Sequence, residues 1–331
     1  MKNINKLLIF VVLILSMSLF LINCGGSGDG SGISYEGETS QVLIDEGNAN
    51  TVATNAYENG NSMRAMQGAG GIFGAVSANG NDQIIQPYSV ALAQFVKDFL
   101  EQADLSEGSG NPSMAVVSYS ESMPGECGGS AAISGTVDDT TGSFNIRATF
   151  NSFCSYEDGL TGSVTANGTI EMVGSIQEDP FSLQANVTLS QFEFTQSGTG
   201  VSATAGGTMS MTINSTGAII TMSVVMKDKT LDKTYKVENL EISMSNMTSS
   251  SATFSMSGRF YDYDYGYVDI ATTVDFQVDV SGNVPTEGTM VITGASNTKA
   301  RLVAVDSATY RVEADTTGND TYDYNSGTLT W

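Results

Sequence analysis

Cysteine supplies the most reactive side chains of this 331-residue sequence, which contains three cysteines and no histidine. Without an imidazole, Ser-His-Asp catalysis, Cys-His catalysis and histidine-ligated metal sites are all excluded. Cys24 follows an apolar N-terminal run, whereas Cys127 and Cys154 lie in the body of the chain. An even pair of cysteines in an exported chain favours a disulfide, so we predict a bond between Cys127 and Cys154.

A second candidate for chemistry is an acidic segment near the C-terminus, Asp315-Thr-Thr-Gly-Asn-Asp-Thr-Tyr-Asp323. It is similar to a degraded Asp-x-Asp-x-Asp-Gly calcium loop, whose oxygen ligands would come from Asp315, Thr317, Asn319 and Asp323. Asp320 stands where such a loop has glycine, and no glutamate closes it. A solvated acidic turn is the alternative, and a structural Ca²⁺ is the only cofactor that the sequence suggests.

Methionines and tyrosines are the other side chains with a functional interpretation. Met fills irregular gaps and adapts to varied apolar partners, so the Met-rich strand faces predict either core or the lining of a lipid site. The residues that would line such a site are Met211, Met222, Met226, Met244 and Phe254. Alternating tyrosines, from Tyr261 to Tyr267, mark a hairpin tip that could contact sugars or a partner, or pack its own rings.

The charge balance limits the class of partner. Lys and Arg number 13 and Asp and Glu number 36, which gives a net charge of −23 and a pI near 4.1. Binding to DNA, RNA or acidic lipid requires a basic face, and this composition argues against one. We therefore expect no nucleic-acid partner.

The N-terminus has the pattern of an export signal. Lys2 and Lys6 precede an apolar run that starts at Leu7 and is short for a transmembrane helix. The run ends in Leu21-Ile22-Asn23-Cys24. This tetrapeptide resembles the lipobox of bacterial lipoproteins, although Gly, Ala or Ser is usual where Asn23 stands.

The lipobox resemblance implies cleavage before Cys24, a diacylglyceryl thioether on its sulfur and a further acyl chain, such as palmitate, on its amino group. Two or three chains hold a protein durably on a bilayer, whereas one does not. Gly25 in place of Asp favours the outer membrane of the bacterial envelope. The Gly/Ser-rich residues up to position 40 then predict a flexible tether.

Periodicity predicts the elements of the mature chain. Residues 41–112 are helical or irregular, with an apolar stripe over 88–104 that includes Phe95 and Phe99 and a shorter stripe from Asn50 to Glu58. From residue 113 to 331 the period is two, which indicates an antiparallel sheet with one apolar face. The alternation slips near Ser190-Gln191 and Glu238-Asn239, where we expect bulges.

These elements predict a mainly β fold in four segments: signal peptide 1–23, lipidated tether 24–40, helical segment 41–112 and β domain 113–331. About a dozen long strands must bury one face, so we expect a meander curved into a half-barrel or open barrel, with one or two N-terminal helices on that face. A β-sandwich is the alternative. The Cys127-Gly-Gly-Ser130 to Cys154 region resembles a pattern in uncharacterised β-rich envelope lipoproteins.

The sequence favours a non-catalytic, lipid-anchored envelope protein with a structural or protein-interaction role. Its partners would be the membrane, through the lipid, and other envelope proteins. The alternative is a carrier that holds a lipid or other hydrophobic ligand between sheet and helix. An enzyme is not expected, because no paired catalytic constellation supports one.

Overall fold

The strands form one continuous antiparallel sheet in a computed structural model, which describes residues 32–62, 116–138, 140–156, 163–178, 180–197, 202–214, 216–246, 251–279 and 284–331. The elements of these ranges are α1 (Ala49–Ser62), β1 (Val116–Pro124), β2 (Gly128–Asp138), β3 (Ser143–Tyr156), β4 (Ser163–Glu178), β5 (Phe181–Gln196), β6 (Ser202–Asn214), β7 (Gly217–Asp228), β8 (Lys233–Ser245), β9 (Ser251–Asp262), β10 (Gly266–Asp279), β11 (Pro285–Thr293), a 3₁₀ turn (Ala295–Asn297), β12 (Lys299–Asp306), β13 (Thr309–Asp315), β14 (Tyr324–Asn325) and β15 (Leu329–Thr330).

Strand order follows chain order. Each strand from β1 to β13 pairs with its successor, and β15 pairs with β13 beside β14. The described part of the sheet is therefore an open meander with β1 at one end of the order. This is the sheet of the predicted half-barrel, and not the two packed sheets of a sandwich.

The period of two explains the core. In β3, Phe144, Ile146 and Ala148 are buried, while Ser143 and Asn145 between them are exposed. The same alternation continues from β2 to β13, and it collects the buried apolar side chains into one cluster. One apolar face over so many strands is the main source of hydrophobic stabilisation.

A crease crosses the sheet where the alternation slips. Ser152, Gln191 and Asn239 adopt the left-handed conformation, with φ of 47°, 46° and 51°. Pairing shifts register beside each of them. The bulges predicted near Ser190-Gln191 and Glu238-Asn239 are thus confirmed, and the one at Ser152 is additional. Bulges of this kind increase the local twist and bend of a sheet.

Helix α1 packs on the apolar face of the sheet. Val52, Ala53, Ala56 and Tyr57 are buried, and the helix contacts β9, β11, β12 and β13. The short stripe from Asn50 to Glu58 therefore predicted this helix correctly. The predicted helix over 88–104 lies outside the described residues, as do the signal peptide and Cys24.

Candidate functional site

A strap, which we define as residues 33–45, crosses one end of the sheet and leads to α1. Its residues 33–40 belong to the predicted flexible tether 24–40, but Tyr35, Glu36 and Glu38 are hydrogen-bonded to the sheet. The strap backbone pairs with the β9–β10 turn and the start of β10: Glu38 N–H donates to Tyr263 O (3.0 Å), and Val42 N–H donates to Tyr267 O (2.9 Å). Ala295 N–H in the β11–β12 turn donates to Val42 O (2.6 Å). We call this the strap end of the sheet; it contains the turns that follow odd-numbered strands, and the opposite end is the far end.

Tyr35 fastens the start of the strap to the outer face. Its hydroxyl donates to Asp262 O (2.7 Å), and its ring meets the Tyr261 ring edge-on at 5.5 Å. Burial, assisted by the charge of Asp262, raises the pKa of Tyr35, so this phenol stays neutral and remains a donor. One residue later, Glu36 N–H donates to Thr234 Oγ1 (2.8 Å).

The outer face behind Tyr35 carries tyrosines that pair with cations. The Lys236 ammonium lies 4.4 Å from the centroid of Tyr261, whose hydroxyl donates to Glu238 (2.8 Å). Arg259 lies 4.1 Å from the centroid of Tyr267. The hairpin tyrosines at 261 and 267 therefore pack on each other, at 5.4 Å between ring centroids, and against cations of the neighbouring strands. This favours the second of the two interpretations of this motif.

Ion pairs fix the charges of this network. Arg259 binds Asp269 through two bonds (2.7 and 3.2 Å), which raise the pKa of the guanidinium. Burial alone would raise the pKa of Glu238, but hydrogen bonds from Lys236 and Tyr261 outweigh it and lower that pKa. The Arg259 guanidinium and the Glu238 carboxylate are thus held in their ionised forms.

Asp262 connects the turn to the helix. Its buried carboxylate accepts from the Asn55 side chain of α1 (2.9 Å) and from the backbone N–H of Asp264 (2.9 Å) and Tyr265 (3.2 Å). One carboxylate therefore orders the β9–β10 turn and fixes α1 on the apolar face at the strap end.

Apolar side chains protrude into solvent at the strap end. Leu43 of the strap is 55% exposed, and Tyr156 at the end of β3 is 64% exposed. Leu231 and Tyr265, in the β7–β8 and β9–β10 turns, are 42% and 37% exposed. We call these four residues the tip cluster. The far end exposes apolar side chains to a similar degree, with Val116, Ile219 and Val305 at 49%, 47% and 43%. The tip cluster is therefore a candidate contact surface because it lies beside the strap, and not because of exposure alone.

The lysines beside the tip cluster form ion pairs with carboxylates. Lys229 pairs with Glu193 (2.6 Å), Lys227 with Asp232 (3.0 Å) and Lys233 with Asp264. Each of the other Lys and Arg residues in the described ranges also forms an ion pair. The strap end is therefore not a basic patch.

The calcium candidate is also at the strap end, and its oxygens accept hydrogen bonds from the loop. Asp315 Oδ1 accepts from the N–H groups of Thr317 (3.2 Å), Gly318 (2.8 Å) and Asn319 (3.2 Å). Oδ2 accepts from the Asp320 N–H (2.6 Å). Asn319 and Asp323, like Asp315, accept from residues of the loop itself. Within the described ranges, no group of three or more Asp, Glu or Cys side chains could hold a metal ion.

The loop carboxylate of Asp315 is stabilised as an anion. Burial alone would raise its pKa, but the four backbone donors outweigh burial and hold the pKa below its usual range. The Thr316 N–H and hydroxyl lower the pKa of Asp323 in the same way. The carboxylates of Asp315 and Asp323 are thus engaged in hydrogen bonds within the turn.

The methionines on the apolar face are buried in adjacent strands. Met222 is 1% exposed and pairs with Met209 of β6 on one side and Leu240 of β8 on the other. The remaining proposed lining residues, Met211, Met226, Met244 and Phe254, are also buried. Phe254 stacks on Phe276 at 5.0 Å between ring centroids. The sequence grouped these side chains correctly on one face.

The predicted disulfide is present. Cys127 and Cys154 are bonded, with 5.1 Å between their Cα atoms, and they link the start of β2 to the end of β3 at the strap end. On the chain-entropy model, a loop of this length stabilises the fold by about 3–4 kcal/mol.

No helix in the described part of the chain is long and apolar enough to span a membrane. Comparisons with protein-family models, with curated protein sequences and with solved structures give no match. The residues and their geometry are therefore the basis for any statement about function.

The strap and the tip cluster are the features that sequence reasoning missed. The strap has no periodicity, and its contacts lie some 200 residues away along the chain, such as Tyr35 with Asp262. Single apolar residues inside polar turns, such as Leu231 between Lys229 and Lys233, were the available signal. Whether such residues share a surface depends on which turns lie at the same end of the sheet.

Proposed function

We propose that this protein is a lipid-anchored protein of the bacterial envelope, held by acylated Cys24, most consistently at the outer membrane. Its β domain has a structural or protein-interaction role and no catalytic one. The observation that carries this proposal is the strap: Glu38 and Val42, which follow the Gly/Ser-rich residues 25–32, are hydrogen-bonded at the β9–β10 and β11–β12 turns. An anchor at Cys24 would therefore be joined firmly to the sheet.

The disulfide supports export. Disulfides form and persist in oxidising compartments such as the periplasm or the cell surface, and they are rare in the cytosol. The bond between Cys127 and Cys154 agrees with an N-terminal signal and an envelope location.

The test is the fate of Cys24. In cells, Cys24→Ser should release a soluble or uncleaved protein, and globomycin should make the precursor of the native protein accumulate. Cys127→Ser is the matched control, because it removes a cysteine without affecting the anchor and should still incorporate labelled palmitate. A mature N-terminus other than Cys24 would refute the proposal, and density-gradient fractionation tests the outer-membrane assignment.

A carrier of a lipid or other hydrophobic ligand is the second candidate. The observation that favours it is the continuous patch of buried methionines, because Met side chains can repack around varied apolar partners. Lipid extracted from the purified protein and identified by mass spectrometry would support this role.

A further inference from the structure

The position of the strap fixes which end of the sheet the proposed anchor can reach. Gly32 lies against the Gln191 side chain on β5. From Gln191, β5 continues for five residues to the strap end at Gln196 and for ten residues back to the far end at Phe181. At about 3.3 Å per residue, these distances are about 17 Å and about 33 Å.

The tether is short on this scale. Residues 24–32 supply eight Cα–Cα steps, which extend to about 28 Å at most and span about 16 Å on average for a Gly/Ser-rich chain. With Cys24 at the bilayer, the strap end can reach the lipid headgroups. The far end lies further from Gln191 than the extended tether is long, so the strap end is the end that the tether brings to the lipid.

The strap end also carries side chains suited to a membrane interface. Leu43, Leu231 and Tyr265 project from the strap and from two turns that it crosses or adjoins, and Tyr156 projects from β3 at the same end. Tyrosine at an exposed tip partitions into the headgroup region, because its ring is apolar and its hydroxyl is polar. Leucine at such a tip can insert at the boundary between the headgroups and the acyl chains.

We propose that the tip cluster docks onto the surface of the bilayer that holds the anchor, so that the sheet stands end-on with its strap end against the lipid. This inference rests on the lipid anchor of the proposed function. The acyl chains provide the attachment, and Leu43, Tyr156, Leu231 and Tyr265 set the orientation. The far end, with the turns after β6 and β12, then points away from the membrane toward other envelope components.

Charge determines which lipid the surface fits. The strap-end lysines are paired with Glu193, Asp232 and Asp264, and the chain as a whole is strongly acidic. Docking is therefore led by apolar and aromatic contact with zwitterionic headgroups, and anionic lipid should not strengthen it.

The experiment places an environment-sensitive NBD label on single cysteines of the mature chain, with the disulfide intact. Leu231→Cys and Tyr265→Cys report the strap end, Ser307→Cys in the β12–β13 turn is the far-end control, and Thr188→Cys reports the outer face. The protein is attached to phosphatidylcholine vesicles in two ways: through its own lipidated Cys24, or through a hexahistidine tag replacing Cys24 on nickel-chelating lipid.

On vesicles, NBD emission at positions 231 and 265 should rise severalfold and be quenched by doxyl-labelled lipid, with no change at position 307. Leu43→Asp together with Tyr156→Asp should reduce the quenching at 231. Added phosphatidylglycerol should not increase it. Equal signals at both ends, quenching only at position 188, or docking that requires phosphatidylglycerol would overturn the proposal.

The two attachments separate this inference from the proposed function. If the native protein fails to float with vesicles but the tagged protein docks through its tips, the lipid anchor is wrong and the docking surface is right. If the native protein floats and its tips stay in water, the anchor is right and the docking surface is wrong.

Discussion

At the residue scale, several of the acidic side chains of this protein form its turns. Asp138, Asp228, Asp306 and Asp315 each end a strand and accept N–H groups two or three residues further on. A short carboxylate can satisfy turn donors that have no strand partner. The negative composition is therefore partly a requirement of a meander with many tight turns, as well as a source of solubility.

Asp315→Asn should destabilise the protein, because the amide retains one acceptor oxygen where the carboxylate has two. Thermal unfolding should show a lower Tm at pH 7. Asp320→Asn is the matched control in the same loop: the Asp320 side chain makes only an exposed ion pair with Lys299, its backbone bond to Asp315 is kept, and the change should have little effect. Equal Tm changes for the two variants would contradict the assigned role.

The pH dependence of that difference follows from the lowered pKa of Asp315. A carboxylate whose pKa is lower in the folded than in the unfolded state stabilises the fold at pH values above its unfolded-state pKa, about 3.9. This stabilisation is lost as the pH falls through the lower folded-state pKa. The Tm difference between native protein and Asp315→Asn should therefore be full at pH 6–7 and shrink below about pH 4. A difference that grows on acidification would contradict it.

The disulfide gives a prediction of larger size. Cys127→Ala with Cys154→Ala should lower the free energy of unfolding by about 3–4 kcal/mol in urea denaturation. Reduction of the native protein should have the same effect, and the reductant should not change the double variant. Comparable stability with and without the bond would show that the denatured state is little constrained by it.

At the element scale, the features that could be predicted are those that depend on the periodicity of apolar residues along the chain. The strands, the α1 stripe and two bulges were recognisable because Gln191 and Asn239 interrupt an alternation that is otherwise regular. The bulge at Ser152 was missed, since Phe150 and Phe153 flank it with apolar residues in both phases. The strap and the tip cluster were not predictable, because they arise from contacts between distant turns.

The crease depends on glycines that face the bulged strands. Gly207 has φ of +146°, and a Cβ there would lie 2.4 Å from the Ser223 carbonyl oxygen. Gly207→Ala should therefore destabilise the fold by about 1–3 kcal/mol in urea denaturation. Gly47→Ala, in the turn before α1, requires no positive φ, and its Cβ would meet only the exposed Asp45 side chain, at 3.2 Å. It should be close to neutral, because that side chain can shift.

Met222→Trp distinguishes a packed interior from a ligand site. Met222 is enclosed by Met209 and Leu240, so in a filled core the larger side chain should cost about 1–3 kcal/mol through overpacking. In a carrier, the substitution should instead block uptake of a fluorescent fatty-acid analogue and leave the unfolding midpoint unchanged. Ser210→Trp, on the outer face of β6, controls for a non-specific effect of tryptophan.

At the scale of the whole molecule, an open sheet must protect two edges. On one side, β14 and β15 cover β13, and the Trp331 ring packs on Tyr310 at 4.5 Å and on Tyr57 at 5.2 Å. On the other side, β2 is the only strand in the described ranges that pairs with β1. Unpaired N–H and C=O groups along a nine-residue edge invite association with another chain.

Glu121 protects that edge. It pairs with Ile133, so it lies on the apolar side of the sheet, yet its side chain is exposed and brings a negative charge to the rim. A charge pointing inward on an edge strand makes pairing with a second sheet unfavourable, because the carboxylate would be buried without a partner.

Glu121→Val should therefore promote self-association of the soluble mature domain. Size-exclusion chromatography with light scattering should show dimers or larger species that form as concentration rises, while the native domain stays monomeric. Ser120→Val adds the same side chain on the outer face of β1 and should have a smaller effect. Because the mature chain keeps a large negative charge after either change, equal association of both variants would indicate general hydrophobicity and not loss of edge protection.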